Sequence, residues 1–206
     1  PLSDGPVKYY DIQKIFMYIY EKEQRTKRTL EYAVEFLGIE KNVPFHRAYE
    51  DAFYTAEVMG RMKREDPEKF VYFSYDVYHP PLCREKEIKV QFPTYAKYIS
   101  REFPDKIDAL HDREVLSTRC YLCHRNIKRK IKWFTVNHRH YYSLAFCEKH
   151  GYLKGKIRIL KSEGEKVFVV KTTRLVSEEE ASHIVQKKNK SSEMYKRLRA
   201  KSRSKA

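Results

Sequence analysis

The run PFHRAYEDAFYTAEVM, residues 44–59, sets a histidine, His46, ahead of a helical pattern and an aspartate, Asp51, in its first turn. Ala48, Ala52, Thr55 and Ala56 fill the face between and beyond them, and the periodicity predicts a helix over residues 48–62. Small side chains let a helix lie close against a neighbouring layer, so that a carboxylate in its first turn reaches a bound cation. The plainer alternative is a surface helix whose first-turn acid is favoured by the helix dipole.

Working upstream, Ile12, Ile15, Phe16 and Ile19 recur at i, i+3, i+4 and i+7 behind Asp11, an amphipathic helix with a capping residue at its head. In TLEYAVEFLGI, Thr29 is the expected N-cap, and Leu30, Ala33, Val34 and Leu37 form the buried stripe. Gly38 suits the left-handed stop. Three helices without a strand are too little for an ordinary α/β core, and the chain opens on proline, so the sequence reads as a piece of a longer protein.

Together these stretches resemble the DEDDh family of 3′–5′ exonucleases, the DnaQ-like and RNase T-like group. That family's third motif is His-x-Ala-x-x-Asp-Ala, and His46, Ala48, Asp51 and Ala52 stand in its fixed places. The resemblance covers residues 1–66 and implies the helical C-terminal part of an RNase H-like exonuclease domain. It implies that Asp51 ligates Mg²⁺ or Mn²⁺ and that His46 is the general base deprotonating the attacking water. Hard oxygen ligands suit such ions, and an imidazole titrating near ~6.5 suits the base. The family also needs an Asp-x-Glu pair and a further aspartate, for which Asp4 and Asp11 are no credible match. The chain alone is therefore expected to be inactive.

Downstream, residues 67–114 read as a connector: KFVYFSYDVY alternates like a strand, and PTYAKYISREF carries a proline where a helix would begin. From Cys120 the pattern turns to β. KIKWFTV and HYYSLAF read as paired strands, and KIRILKSEGEKVFVVKTT as a hairpin turning at residues 162–165. Ser177 and Glu180 form a capping box opening a closing helix. Residues 115–185 are thus a small β-rich module, and residues 186–206, with nine Lys and Arg against one Glu, a basic helix or a tail. The fold class expected overall is α+β.

Within that module Cys120 and Cys123 make C-x2-C, and after a 23-residue spacer Cys147 and His150 make C-x2-H. Two such turns joined by a hairpin have the layout of a zinc ribbon, in which three thiolates and an imidazole close a tetrahedron around a structural Zn²⁺. His124, His138 and His140 lie nearby, and His124 is an alternative to His150. Cys83 stands apart, and Trp133 is expected to pack inside the module.

The net charge of +15 is unevenly spread. Residues 1–75 hold 12 Lys and Arg against 13 Asp and Glu, and residues 76–206 hold 31 against 15. A basic surplus rich in tyrosine is what a phosphate-backbone binder needs, since cations displace counterions and rings stack on bases; a solvated lysine surface is the alternative. No run approaches the ~18 apolar residues of a membrane span. The expectation is a cytoplasmic nuclease acting on the single-stranded 3′ end of DNA or RNA. The alternative is a zinc-ribbon module binding nucleic acid or protein, joined to a non-catalytic remnant.

Overall fold

Capping sets the ends of the first two helices, as the sequence predicts. In the computed structural model, which describes residues 5–21, 26–42, 45, 47–75, 79–137, 139–162 and 164–203, the chain divides into a helical unit, Val7–Asp76, and a β-rich unit made of the rest. In the helical unit α1 spans Ile12–Tyr20, and the Asp11 carboxylate accepts from the Lys14 amide at 3.1 Å. Helix α2 spans Leu30–Phe36, where the Thr29 hydroxyl accepts from the Tyr32 amide at 3.2 Å. Its stop is Gly38 at φ 62°, with the Ile39 amide returning to the Val34 carbonyl.

Helix α3 runs Ala48–Glu65 and buries Tyr54, Val58 and Met62, spaced four residues apart on one face. They close a core with Ile15, Phe16 and Ile19 of α1 and Ala33 and Val34 of α2. Each of the large side chains contributes on the order of 1.5–3 kcal/mol when removed from water. Phe45 stacks on Tyr54 with ring centroids 4.7 Å apart. The strand expected across KFVYFSYDVY is mostly absent. Pro67–Val71 forms a short 3-10 turn with Val71 exposed, and among the described residues the only pairing is between β1, Lys8–Tyr9, and β2, Ser74–Tyr75.

The second unit is built on one antiparallel sheet of six strands. These are β3 (Ile88–Gln91), β4 (Tyr95–Ile99), β5 (Arg129–Thr135), β6 (His140–Cys147), β7 (Gly151–Lys161) and β8 (Val167–Leu175), in the order β3-β4-β8-β7-β6-β5. The four downstream strands follow each other as a meander, as their alternation predicts. The segment expected to be a connector instead supplies β3 and β4, and Pro93 falls in the turn between two strands rather than at the head of a helix. Pairing with β8, about seventy residues away, is what makes YAKYI extended.

Because antiparallel partners point to the same side, the register assigns the faces. On one face lie Tyr98, Val169, Ile157 and Tyr141, and against them pack two short helices, α4 (Lys106–His111) and α5 (Arg113–Leu116). The caps are Asp105 and Asp112, each accepting two backbone amides. Asp112 also takes Arg84 at 2.5 Å and Arg101 at 3.2 Å, and Arg101 holds Glu87 at 2.7 Å. On the other face Phe134 and Leu144 receive Ala181 and Ile184 of α6, Glu178–Arg203. The predicted cap is present: the Glu180 amide donates to the Ser177 hydroxyl at 3.2 Å. The boundary expected at residue 186 is no break, since α6 runs straight through it and the basic segment is helix as far as Arg203.

Candidate metal centre and the Asp51 helix

The two metal-ligand turns flank the β5–β6 hairpin in sequence and meet at its open end, where Arg129 at the start of β5 pairs with Ala145 near the end of β6. The first precedes β5 and is pinned as a narrow loop: the Cys120 amide donates to the Arg125 carbonyl at 3.0 Å, and the Ile127 amide to Thr118 at 3.1 Å. The second is the tight connection from β6 to β7, in which Cys147 ends one strand, Gly151 begins the next and the two are directly paired. Within the first turn the His124 amide reaches the Cys120 carbonyl at 2.7 Å; within the second the His150 amide reaches that of Cys147 at 3.2 Å.

This construction brings Cys120, Cys123, Cys147 and His150 together, with one ligand atom from each and all of them within 4.8 Å of one another. The Cys120 sulfur is 3.3 Å and the Cys147 sulfur 3.6 Å from the His150 Nδ1, and the Cys123 and Cys147 sulfurs are 3.7 Å apart. Thiolates at ~2.3 Å from a tetrahedral zinc stand about 3.8 Å apart, so the cluster has the dimensions of such a site. Three sulfurs and one nitrogen can hold a metal such as zinc. His124 is not among the four residues whose ligand atoms converge; His150 takes that place. His140 contacts Asn137 instead, and His138 lies outside the described residues.

Backbone amides already favour charged sulfur. The Arg125 amide lowers the Cys123 thiol below its usual range. At Cys147 burial pushes upward, but amides of Lys149 and His150 and the His150 ring together outweigh it. Burial dominates at Cys120 and raises its thiol despite amides from Cys123 and Leu122. Cys120, Tyr121, Cys147 and Leu153 form a small core of their own, so the cluster is backed by apolar packing.

A buried cation ties α5, just ahead of the first turn, to the sheet. Lys171 of β8 is 7% exposed and donates to the Glu114 carbonyl at 2.5 Å, the Ser117 carbonyl at 3.1 Å and the Ser117 hydroxyl at 3.0 Å. Burial lowers its ammonium to about 8. Sequence reading passed over this residue because it is one more lysine in a basic chain; a lysine in the alternating run VFVVKTT at a core-facing place was the available signal. Trp133 packs inside the module as expected. Its Nε1 donates to the Leu116 carbonyl at 3.1 Å, and its ring lies across Gly155.

In the helical unit Asp51 sits in the first turn of α3 and is partly buried, and the Thr55 hydroxyl donates to its carbonyl at 2.7 Å. His46 lies outside the described residues. Ala48, Ala52 and Ala56 are exposed, beside Tyr49 and Phe53, so among the described residues this face is bare and the opposite face does the packing. Asp51 joins no group of three or more metal-ligating side chains among the described residues, so it alone does not fit a pair of Mg²⁺ or Mn²⁺ ions.

Among the described residues no helix is long and apolar enough to cross a membrane. Comparison of the chain with protein-family models, curated proteins and solved structures finds no match in any of the three.

Proposed function

We propose that the chain is the C-terminal part of a cytoplasmic metal-dependent 3′–5′ exonuclease of the DEDDh kind, carrying a zinc-ribbon-like module that grips the single-stranded 3′ end of DNA or RNA. The observation that supports the nuclease reading is the placement of Asp51, partly buried in the first turn of α3, within His-x-Ala-x-x-Asp-Ala. Asp51 would contribute one carboxylate to a Mg²⁺ or Mn²⁺ centre whose other acids come from polypeptide outside this chain, and His46 would take the proton from water. In a longer parent bearing those acids, His46→Ala is expected to lower turnover far more than affinity for a single strand. Turnover equal to the unaltered parent's would overturn the reading. This chain alone is expected to hydrolyse nothing.

In the same proposal Cys120, Cys123, Cys147 and His150 hold a structural Zn²⁺. All four positions belong to protein, leaving none for water, so the ion supplies cross-linking rather than chemistry. A closed site of this kind contributes on the order of 10 kcal/mol to folding a small unit.

A second reading is favoured by the metal cluster itself, which is assembled without help from α3: the module binds nucleic acid and the helical unit is a non-catalytic remnant. The His46→Ala measurement separates the two.

A further inference from the structure

A row of small side chains leaves a hollow beside the first metal-ligand turn. Register sets Gln91 of β3, Ala96 of β4, Thr173 of β8 and Gly155 of β7 side by side, next to a row of long ones, Lys89, Tyr98 and Lys171. The Trp133 ring fills the space over Gly155. Over Ala96 and Thr173 a pocket of about 240 Å³ remains, and Cys120, Tyr121 and His124 of the turn form its other wall. Lys89, Gln91, Arg119 and His124 line it and are exposed, so it is reached from solvent.

The polar groups around it differ in what they have left to offer. Lys89 is held by Glu114 at 3.0 Å, Lys171 by the Glu114 and Ser117 carbonyls, and Lys97 has a partner of its own. Arg119 uses its Nε on the Asn126 side chain at 3.1 Å and keeps both terminal nitrogens for another acceptor. Gln91, Thr173 and His124 make no side-chain hydrogen bond among the described residues. His124 is also the one non-glycine residue at positive φ among them, at 57°. Gly151 stands at the matching place in the other turn, so the backbone there calls for no ring. The histidine brings an imidazole to the pocket at a conformational cost, as residues at ligand clamps do.

We infer that this pocket takes one nucleoside monophosphate unit, its base over Ala96 and Thr173 with the His124 ring at the edge, and its phosphate on Arg119. The choice of a nucleotide rests on the reading that the module grips the end of a strand, and it names the place. The volume is below the roughly 300 Å³ at which drug-sized sites begin, and suits a single ring system. Ala96, Tyr98 and Tyr121 give the interior apolar surface for the faces of a base. Gln91 and Thr173 carry donors and acceptors for its edge, and a guanidinium fits a phosphate with paired N–H bonds. The unit arrives as the terminal nucleotide of a strand or as a free nucleotide, and the chemistry of the pocket is the same for both.

The test uses the full zinc-loaded chain. Binding of thymidine monophosphate is followed by equilibrium dialysis, and its competition with a 5′-labelled oligothymidylate by anisotropy. Thymidine monophosphate is expected to bind, and inorganic phosphate at equal concentration to compete poorly. His124→Gly suits the left-handed turn and is expected to weaken nucleotide binding about fivefold or more. Ala96→Leu fills the pocket without altering charge and is expected to abolish it. Zinc content and a melting curve verify the fold of both. Arg119→Gln is expected to lower the slope of log K against log salt for the oligothymidylate by about 0.7, whereas Lys190→Gln on α6 leaves nucleotide binding unchanged. The inference is overturned if either pocket variant, folded and with its zinc, keeps the parent affinity. It is overturned equally if inorganic phosphate competes as well as thymidine monophosphate, or if no nucleotide binds. Displacement of the oligothymidylate by the nucleotide identifies a strand end as the source. Nucleotide binding that leaves the oligothymidylate in place identifies a free nucleotide, so that the gripping reading fails while this inference stands.

Discussion

His124 and Gly151 hold matching positions in the two metal-ligand turns. Each follows the second ligand of its pair, and each is left-handed, at φ 57° and 86°. Glycine adopts that region freely, whereas histidine does so at a cost of about 1 kcal/mol. His124→Gly is therefore expected to leave stability near that of the parent, relief of strain being offset by the freer unfolded chain. His124→Val, β-branched at the same φ, is expected to lose about 1–2 kcal/mol in chemical denaturation. Equal stability of the Gly and Val variants would contradict the shared geometry.

Gly155 is small for a different reason. A Cβ there would stand 2.5 Å from the Ser143 hydroxyl and 2.6 Å from the Trp133 ring. Gly155→Ala is expected to cost about 1–3 kcal/mol through displacement of that ring. The penalty should shrink when Trp133→Phe is introduced as well, because the two positions share one contact. Denaturant midpoints of the two single variants and the double variant measure the coupling.

Lys171 gives a pH dependence with a definite sign. Burial places its folded-state ammonium at about 8, below the ordinary 10.5, so between those values the unfolded chain binds more protons than the folded one. The stability Lys171 costs near neutrality is recovered as pH rises from 8 toward 10. Parent stability minus that of Lys171→Met is expected to grow over this interval, by on the order of 1–3 kcal/mol. A flat or falling difference would show that the ammonium is not the buried species.

Metal removal is expected to act on the β module first. Chelation should lower its thermal transition sharply, and Cys147→Ser should abolish stoichiometric zinc. The Cys83→Ser variant should retain it, since Cys83 stands outside the cluster. Elemental analysis and a melting curve on the same samples decide the matter; a module free of zinc with an unaltered melt would remove the structural role.

What sequence could deliver was local. Asp11 and Thr29 cap the helices they precede, the alternation of KIKWFTV and VFVVKTT gives strands, and the C-x2-C and C-x2-H turns need only short spacings to announce a metal cluster. What escaped depended on distant partners. YAKYI is a strand because Ile99 pairs with Val170 and Tyr98 with Lys171, and nothing within ten residues of Pro93 encodes that pairing. KFVYFSYDVY has strand-forming side chains but finds partners only for Ser74 and Tyr75 among the described residues. The alanines of α3 carry no sign of which face makes the core of this unit, since small residues are compatible with close approach or with none; Tyr54, Val58 and Met62 supply it. Which basic residues share a surface followed from sheet register, which is invisible in a count of lysines.

The β6–β7 turn provides two of the four clustered ligands and also joins two strands that pair along the whole of β6. A metal such as zinc held there would act in place of a disulfide as a clasp across some thirty residues, from Cys120 to His150. On the proposed reading, a cell starved of zinc would leave these four ligands unclasped, so the supply of one trace element, rather than the rate of synthesis alone, would bear on how much finished protein exists.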